Sequence, residues 1–290
     1  MFTPFAFVKS AAAAAPAFSY LLNEYPGAYA AYSLRQLSSS YSGPAITVRR
    51  SSNNQETDIG FINGVLDTGS LLSWCGAGDG FVSYWYDQSG NSRHLEQTST
   101  AEQPRIVLTG SIETSNGKPA IFVNTDRRMF YTISGGGNGT NPSSFFTVVT
   151  PVDNSTTSLF GISVVTSNSE FLALGTNGVS QSIAATSNDS GTVSTIIGLS
   201  TSNNTMYLAT NLNINQTSTG RKLFVNSTNE YTSTIAQAEQ FFTSIRLNRM
   251  NNSDLGVGIA KWTEMIHYKT SQTSSRSGIE TNINNYYSIY

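Results

Sequence analysis

Phe81-Val82-Ser83-Tyr84-Trp85-Tyr86-Asp87-Gln88-Ser89-Gly90-Asn91-Ser92-Arg93-His94-Leu95 is the stretch whose reading decides the fold. From Phe81 to Tyr86, aromatic and β-branched residues are dense enough to predict a strand covered on both faces. Phe81, Ser83 and Trp85 fall on one side, Val82, Tyr84 and Tyr86 on the other. Such a strand belongs in the middle of a sheet. Asp87 to Asn91 then turns the chain, because Asp and Asn side chains bond their own backbone and Gly90 accepts positive φ. Just upstream, Asp67 is placed to cap a short helix in which Leu71, Leu72 and Cys75 share one face. Gly76 to Gly80 leads from that helix into the strand.

Working outward, 290 residues suffice for one large all-β core, so length does not demand two domains. Charged residues make up 12% of the chain, against roughly 25% in ordinary soluble domains, and Ser, Thr and Asn dominate the polar positions. The net charge is −2. Basic residues cluster no further than Arg49-Arg50 and Arg127-Arg128, which excludes a nucleic-acid backbone as partner. The single cysteine, Cys75, allows no intrachain disulfide and reads as a buried thiol. No apolar run reaches the ~20 residues of a membrane span, so no membrane partner is expected.

The first residues differ from the rest. Phe2, Phe5 and Phe7 precede five alanines, Ala11 to Ala15, and residues 1–25 read as an N-terminal assembly arm whose aromatics dock on a neighbour. Residues 26–290 then form the body. Pro26 to Leu37 begins with Pro at a first helical position and predicts a helix of one to three turns. From Ala45 onward, short runs rich in β-formers recur between Asn, Gly, Ser and Asp clusters, one of them the Gly135 to Gly139 loop. They include Pro104–Leu108, Phe145–Pro151, Met206–Ala209 and Ile259–Tyr268. Ile279, Ile283, Tyr286 and Tyr287 trace one apolar stripe of a terminal helix, capped at Ser275 or Ser277. The expected class is all-β, a sandwich or jelly roll with short peripheral helices.

Ala31-Tyr32-Ser33-Leu34-Arg35, Tyr41-Ser42-Gly43, Asp58-Ile59-Gly60 and above all Trp85-Tyr86-Asp87-Gln88-Ser89-Gly90-Asn91 resemble the catalytic domain of fungal arabinofuranosidase B-type enzymes, a concanavalin-like β-sandwich. The likeness runs over about residues 28 to 123. Beyond Gly117-Lys118-Pro119, Ala120-Ile121-Phe122-Val123 and the closing Ile279 to Tyr290 look more like laminin-G/concanavalin-like domains of bacteriophage tail and surface proteins. The two resemblances imply different functions, and the acids separate them.

A retaining glycosidase needs two carboxyls about 5 to 5.5 Å apart. In the enzymes a glutamate follows a short Tyr-Gly-Asn-Ala stretch. Setting that on Phe160-Gly161 brings the glutamate position to Val164, with Glu170 the nearest acid. The enzymes' second acid lies in a Gly-Gly-Asp-Asn turn, for which Asp254 stands closest. Thr156-Thr157 occupy the place of their adjacent cysteine pair. These departures set the expectation of a non-catalytic virion protein, a tail-fibre component or capsid decoration with a lectin-like sandwich. Its partners would be other virion proteins through the arm and a host-surface glycan, in a trimer by analogy. The alternatives are an arabinofuranosidase-like glycoside hydrolase with a relocated acid, and a secreted lectin.

No other constellation carries chemistry. His94 and His267 stand apart from further ligand-type residues and read as packed side chains rather than metal ligands. Asp87 and Asn91 fall well short of the six to eight oxygens of a calcium site. No metal and no cofactor are expected. Trp85, Tyr86, Asp87, Gln88, Ser89, Gly90 and Asn91 are therefore assigned a structural role, with Asp87 bracing the turn and the aromatics behind it filling the core.

Overall fold

The strand Gly80–Trp85 is hydrogen-bonded along both edges, to Ile46–Arg50 on one side and to Leu95–Glu96 and Arg105–Leu108 on the other. The computed structural model describes residues 19–133, 142–153, 160–167, 170–177, 182–189, 192–213, 220–233, 244–248 and 258–290, with side chains left aside for 160–177, 187–189 and 192–194. The arm residues Phe2, Phe5 and Phe7, the Gly135 to Gly139 loop, Thr156-Thr157 and Asp254 lie outside the described residues.

Around the central strand grow two antiparallel layers. One runs from Glu56–Ile59 through Ile46–Arg50, Gly80–Trp85, Leu95–Glu96, Met129–Thr132 and Ser244–Leu247. It continues through Phe160–Ser167, Glu170–Asn177 and Ser182–Asp189 to Thr192–Ser200. The other is built on Ile259–Tyr268, flanked on one side by Ala30–Ser33 and Ile121–Val123. On its other side follow Ser143–Asp153, Tyr207–Asn213, Arg221–Val225 and Asn229–Thr232. Arg105–Leu108 pairs with a strand of each layer and joins them at one edge. The all-β sandwich of the sequence reading is present.

The main core lies between the layers, with Val48, Val82 and Trp85 of the first facing Tyr32, Phe145, Trp262 and Met265 of the second. Strict alternation along Phe81–Tyr86 does not hold. The register against Ile46–Arg50 slips between Thr47 and Val48, so Thr47 faces Tyr84 while Val48 faces Val82. This bulge absorbs one residue and turns both Val82 and Trp85 inward, leaving Tyr84 half-buried on the outer face.

Asp67 caps helix α2, Thr68–Cys75, by accepting from the Ser70 amide at 3.0 Å, and Leu71 and Cys75 are buried beneath it. Leu72 is only half-buried. The helix expected over Pro26–Leu37 is not there. Its residues form the strand Ala30–Ser33, paired with His267 to Glu264, and helix α1, Leu21–Glu24, precedes Pro26. Alanine's helix propensity, a few tenths of a kcal/mol per residue, yields to a ladder that buries Ala30, Ala31, Tyr32 and Ser33 completely. The strands Ser182–Asp189 and Asn229–Thr232 escape sequence reading because Ser, Asn and Asp are poor strand formers.

A second, smaller core covers the outside of the second layer. Helix α3, Arg276–Tyr287, lays Ile279, Ile283 and Tyr287 on Phe146, Val148, Leu208 and Ile266, with Leu21 and Leu22 of α1 beside them. Arg276 pairs with Glu280 one turn along the same helix at 2.5 Å and holds the helix down by lying 3.9 Å over the Phe224 ring. Gly278 lets the Tyr25 ring reach the helix, since a Cβ there would overlap the Tyr25 hydroxyl. In an open helix Gly→Ala gains about 1 kcal/mol. Here Gly278→Ala is expected to cost about 1–3 kcal/mol through overpacking, and Tyr25→Ala in the same chain should restore the helix preference. Urea midpoints of the two variants check this.

Candidate functional site

The Asp87 to Asn91 turn is built as a clamp on the Ala30–Ser33 segment. That strand pairs with Ile259–Tyr268 along one edge, and its other edge takes its hydrogen bonds from the turn. Asp87 Oδ1 accepts from the Ala31 and Ser89 amides at 2.8 and 2.9 Å, and Oδ2 accepts from the Arg93 amide at 3.0 Å and the Ser89 hydroxyl at 2.8 Å. Gln88 accepts from the Leu37 amide at 2.8 Å and donates to the Ser33 and Arg35 carbonyls at 2.9 and 3.1 Å. The Asn91 amide donates to the Ala28 carbonyl at 3.0 Å. Gly90, at φ +87°, closes the turn. Trp85 sits wholly in the main core and Tyr86 stands edge-on to His94 at 4.8 Å. His94 is itself fixed, its Nδ1 accepting from the Asp87 amide at 3.1 Å.

These groups are spent on the fold. Asp87→Ala would leave three backbone N–H groups without their acceptor, that of Ala31 fully buried and those of Ser89 and Arg93 half-buried, and the expected cost is about 2–4 kcal/mol. Asp87→Asn, which keeps one acceptor oxygen, should lose roughly half of that; chemical denaturation with an unchanged m-value is the check.

Chemistry-bearing residues converge elsewhere. Along Ser143–Asp153 the side chains alternate, Phe145 and Val149 entering the main core while Phe146 and Val148 enter the outer one. Ser143 therefore shares the inner face. Its partner is Asn213, which pairs in turn with Arg221, while Phe145 lies between Asn211 and His267. Ser143, Asn211, Asn213, Arg221 and His267 thus gather at one end of the space between the layers, all buried. Polar side chains there are unusual, and two have unused capacity. The Ser143 hydroxyl and the Asn211 carbonyl oxygen have no hydrogen-bond partner among the described residues. Each such group costs about 1–3 kcal/mol unless something hydroxylic meets it.

His267 stacks flat on Phe145 at 4.1 Å and meets Tyr29 edge-on at 5.2 Å. Outside it, Arg93 and Lys269 lie over the Tyr29 ring at 3.7 and 4.1 Å, giving this end a cationic rim. Burial, with the nearby Lys269 and Arg93 charges, pushes the His267 pKa down to about 3. Burial likewise pushes Arg221 down to about 10. His267 is neutral at working pH. An unfolded chain takes up its proton below about pH 6.5, the folded chain only near pH 3. Stability should therefore fall as pH drops through that window, by up to about 1.4 kcal/mol per pH unit. In His267→Leu the decline between pH 6.5 and 4.5, followed by urea midpoints, should be shallower by up to one proton's worth.

Unused amide and hydroxyl groups of this kind can be met by a buried water or by a ligand hydroxyl. This end does not itself cleave a glycosidic bond, because none of its five inner-face residues is a carboxylate. The sequence reading missed it. Asn211 and Asn213 stand two apart in Tyr207-Leu-Ala-Thr-Asn-Leu-Asn, a period-two signal, but the strand was expected to end at Ala209 because asparagine usually marks a turn. Of the acids singled out in the sequence, Glu170 opens the strand Glu170–Asn177, and Val164 lies in the neighbouring strand Phe160–Ser167.

Comparison with known proteins bears on the fold and on the first part of the chain. The model of the family "Alpha-L-arabinofuranosidase B, catalytic" matches residues 20–141. A solved arabinofuranosidase complexed with arabinofuranosyl-α-1,2-xylobiose superposes with a TM-score of 0.62 at 15% identity, over 88% of this chain and 62% of its own. A GH54 α-L-arabinofuranosidase soaked with a cyclic sulfate inhibitor gives a TM-score of 0.64 at 14% identity, with the same coverage. This chain thus spans about 62% of the length of those enzymes. Curated protein sequences offer no match.

The expectation of a non-catalytic virion protein is overturned by the family match, since the model that fits residues 20–141 is that of an arabinofuranosidase catalytic domain. It rested on the second resemblance, the aromatic arm, the low charge and a lost acid pair, the last in part on counting from Phe160-Gly161 to an empty Val164. A count of that kind presumes equal strand and loop lengths in two chains, and at 14–15% identity nothing holds those lengths equal.

Proposed function

We propose that this chain is a glycoside hydrolase of the arabinofuranosidase type, which removes arabinofuranosyl units from a polysaccharide. The observation that carries the reading is the match of residues 20–141 to an arabinofuranosidase catalytic domain. The shared sandwich fold and the buried polar end between its layers agree with it. In this reading Ser143 and Asn211 bind sugar hydroxyls. The Arg93–Tyr29–Lys269 rim borders this end, and Glu170 and Asp254 are the first two acids to substitute in locating the pair required for cleavage.

The test is hydrolysis of 4-nitrophenyl α-L-arabinofuranoside, together with arabinose release from wheat arabinoxylan, between pH 3 and 8. Nitrophenolate and free arabinose are expected. A protein that is folded by circular dichroism yet releases neither would overturn the reading.

A further inference from the structure

On the far side of the second layer from the inter-sheet site, α1, α3 and the Lys118 turn enclose a cleft of about 780 Å³. Such a volume lies within the range of pockets that hold small organic ligands. Its floor is the Arg35 guanidinium, which is neutralised by Glu264 and tied to Asn282 at 2.9 Å. Its walls carry one carboxylate, Glu24, one ammonium, Lys118, and two tyrosine rings, Tyr25 and Tyr286. The charges cancel, which disfavours an ionic ligand.

Thr281 and Asn285 line the cleft from one face of α3, away from Ile279 and Ile283, which are buried in the outer core. Four residues apart on a helix, they place polar groups about 6 Å from one another along the axis, close to the advance of one sugar unit. Lys118 rests 4.3 Å from the Tyr286 ring, so the aromatic wall ends in a hydrogen-bond donor. Aromatic rings, amides and hydroxyls without net charge are the chemistry that recognises neutral sugars.

We propose that this cleft is a second carbohydrate-binding site, which holds a neutral oligosaccharide stretch of the polymer apart from the hydrolytic centre. Met265 faces the inter-sheet core while Glu264 points to the other side of the strand and binds Arg35 at the cleft floor, so the layer itself separates the two sites. The choice of arabinoxylan as the polymer rests on the function proposed above; the cleft's geometry does not.

The experiment is affinity electrophoresis of the full chain in gels with and without wheat arabinoxylan, beside hydrolysis of 4-nitrophenyl α-L-arabinofuranoside. Retardation of the unaltered protein is expected. Asn285→Ala should weaken binding about 2- to 10-fold, as for one or two lost hydrogen bonds. Thr281→Trp, which fills the cleft from an exposed helix position, should abolish the retardation. Both variants should keep the parent melting temperature and hydrolyse the small substrate at the parent rate. Three results would each overturn the proposal: no retardation of the unaltered protein, retardation unchanged in both variants, or loss of small-substrate hydrolysis in the same variants. Absence of hydrolysis with retention of cleft-dependent retardation would remove the hydrolase reading and leave the binding site standing.

Discussion

Replacing Arg35 with Met is expected to destabilise the protein by about 3–5 kcal/mol, because it strands a buried carboxylate. Glu264 is wholly buried in the second layer. Its two oxygens accept from Arg35 Nε at 2.7 Å and Nη2 at 2.9 Å, from the Ser33 hydroxyl at 2.8 Å and from the Tyr287 hydroxyl at 3.3 Å. The arginine is as deeply set. Burial draws its pKa down, but the Glu264 charge and hydrogen bonds outweigh this and hold it above its ordinary value. Its plane also lies 5.0 Å from the Tyr286 ring.

One ion pair therefore ties Ala30–Ser33, Ile259–Tyr268 and α3 together. Removing both charges, as in Arg35→Met with Glu264→Leu, should return about half of the lost stability, since no buried charge is then left unpaired. It should not return all of it, because Ser33, Asn282 and Tyr287 lose their partner. Guanidinium titrations of the single and double variants decide the matter. A single variant within about 1 kcal/mol of the parent would show that water reaches Glu264.

The other large effect concerns catalysis. If Glu170 and Asp254 supply the acid pair of the proposed hydrolase, Glu170→Gln and Asp254→Asn should each lower kcat for arabinofuranoside hydrolysis by about 10²- to 10⁴-fold, the usual contribution of a positioned acid or base. Six other acids are already committed to the fold. Glu264 is held by Arg35, Glu113 by Arg105 and Lys261, Glu280 by Arg276 and Ser227, and Asp87 by three backbone amides. Asp67 caps a helix, and Asp58 accepts from the Thr47 hydroxyl at 2.6 Å. A carboxylate committed to such bonds is poorly placed to attack or to donate a proton. Steady-state rates for the two variants, with folding checked by circular dichroism, are the measurement. Full activity in both would place the acids elsewhere in the chain.

The Trp85 to Asn91 stretch shows how far local sequence carries. Its strand, its turn and the structural use of Asp87 follow from side-chain chemistry over a few residues, and the capped helix before it and the apolar stripe of α3 follow in the same way. The Pro26–Leu37 misreading marks the limit. Nothing local distinguishes an alanine-rich helix from a strand that waits for Glu264 to His267, more than 200 positions away in the chain.

By itself, then, the sequence determined an all-β chain, the central strand and its turn, the two helices that carry their own caps or stripes, and a likeness to arabinofuranosidases over the first part of the chain. Only the tertiary structure decided that Arg35 and Glu264 meet, that a bulge turns Val82 and Trp85 to the same side, and that Ser143, Asn211, Asn213, Arg221 and His267 share one buried end. The physical reason is common to all three. Each depends on the register between strands distant in sequence, set by hydrogen-bond ladders and the packing of two layers, and a shift of one residue would send every one of those side chains to the opposite face.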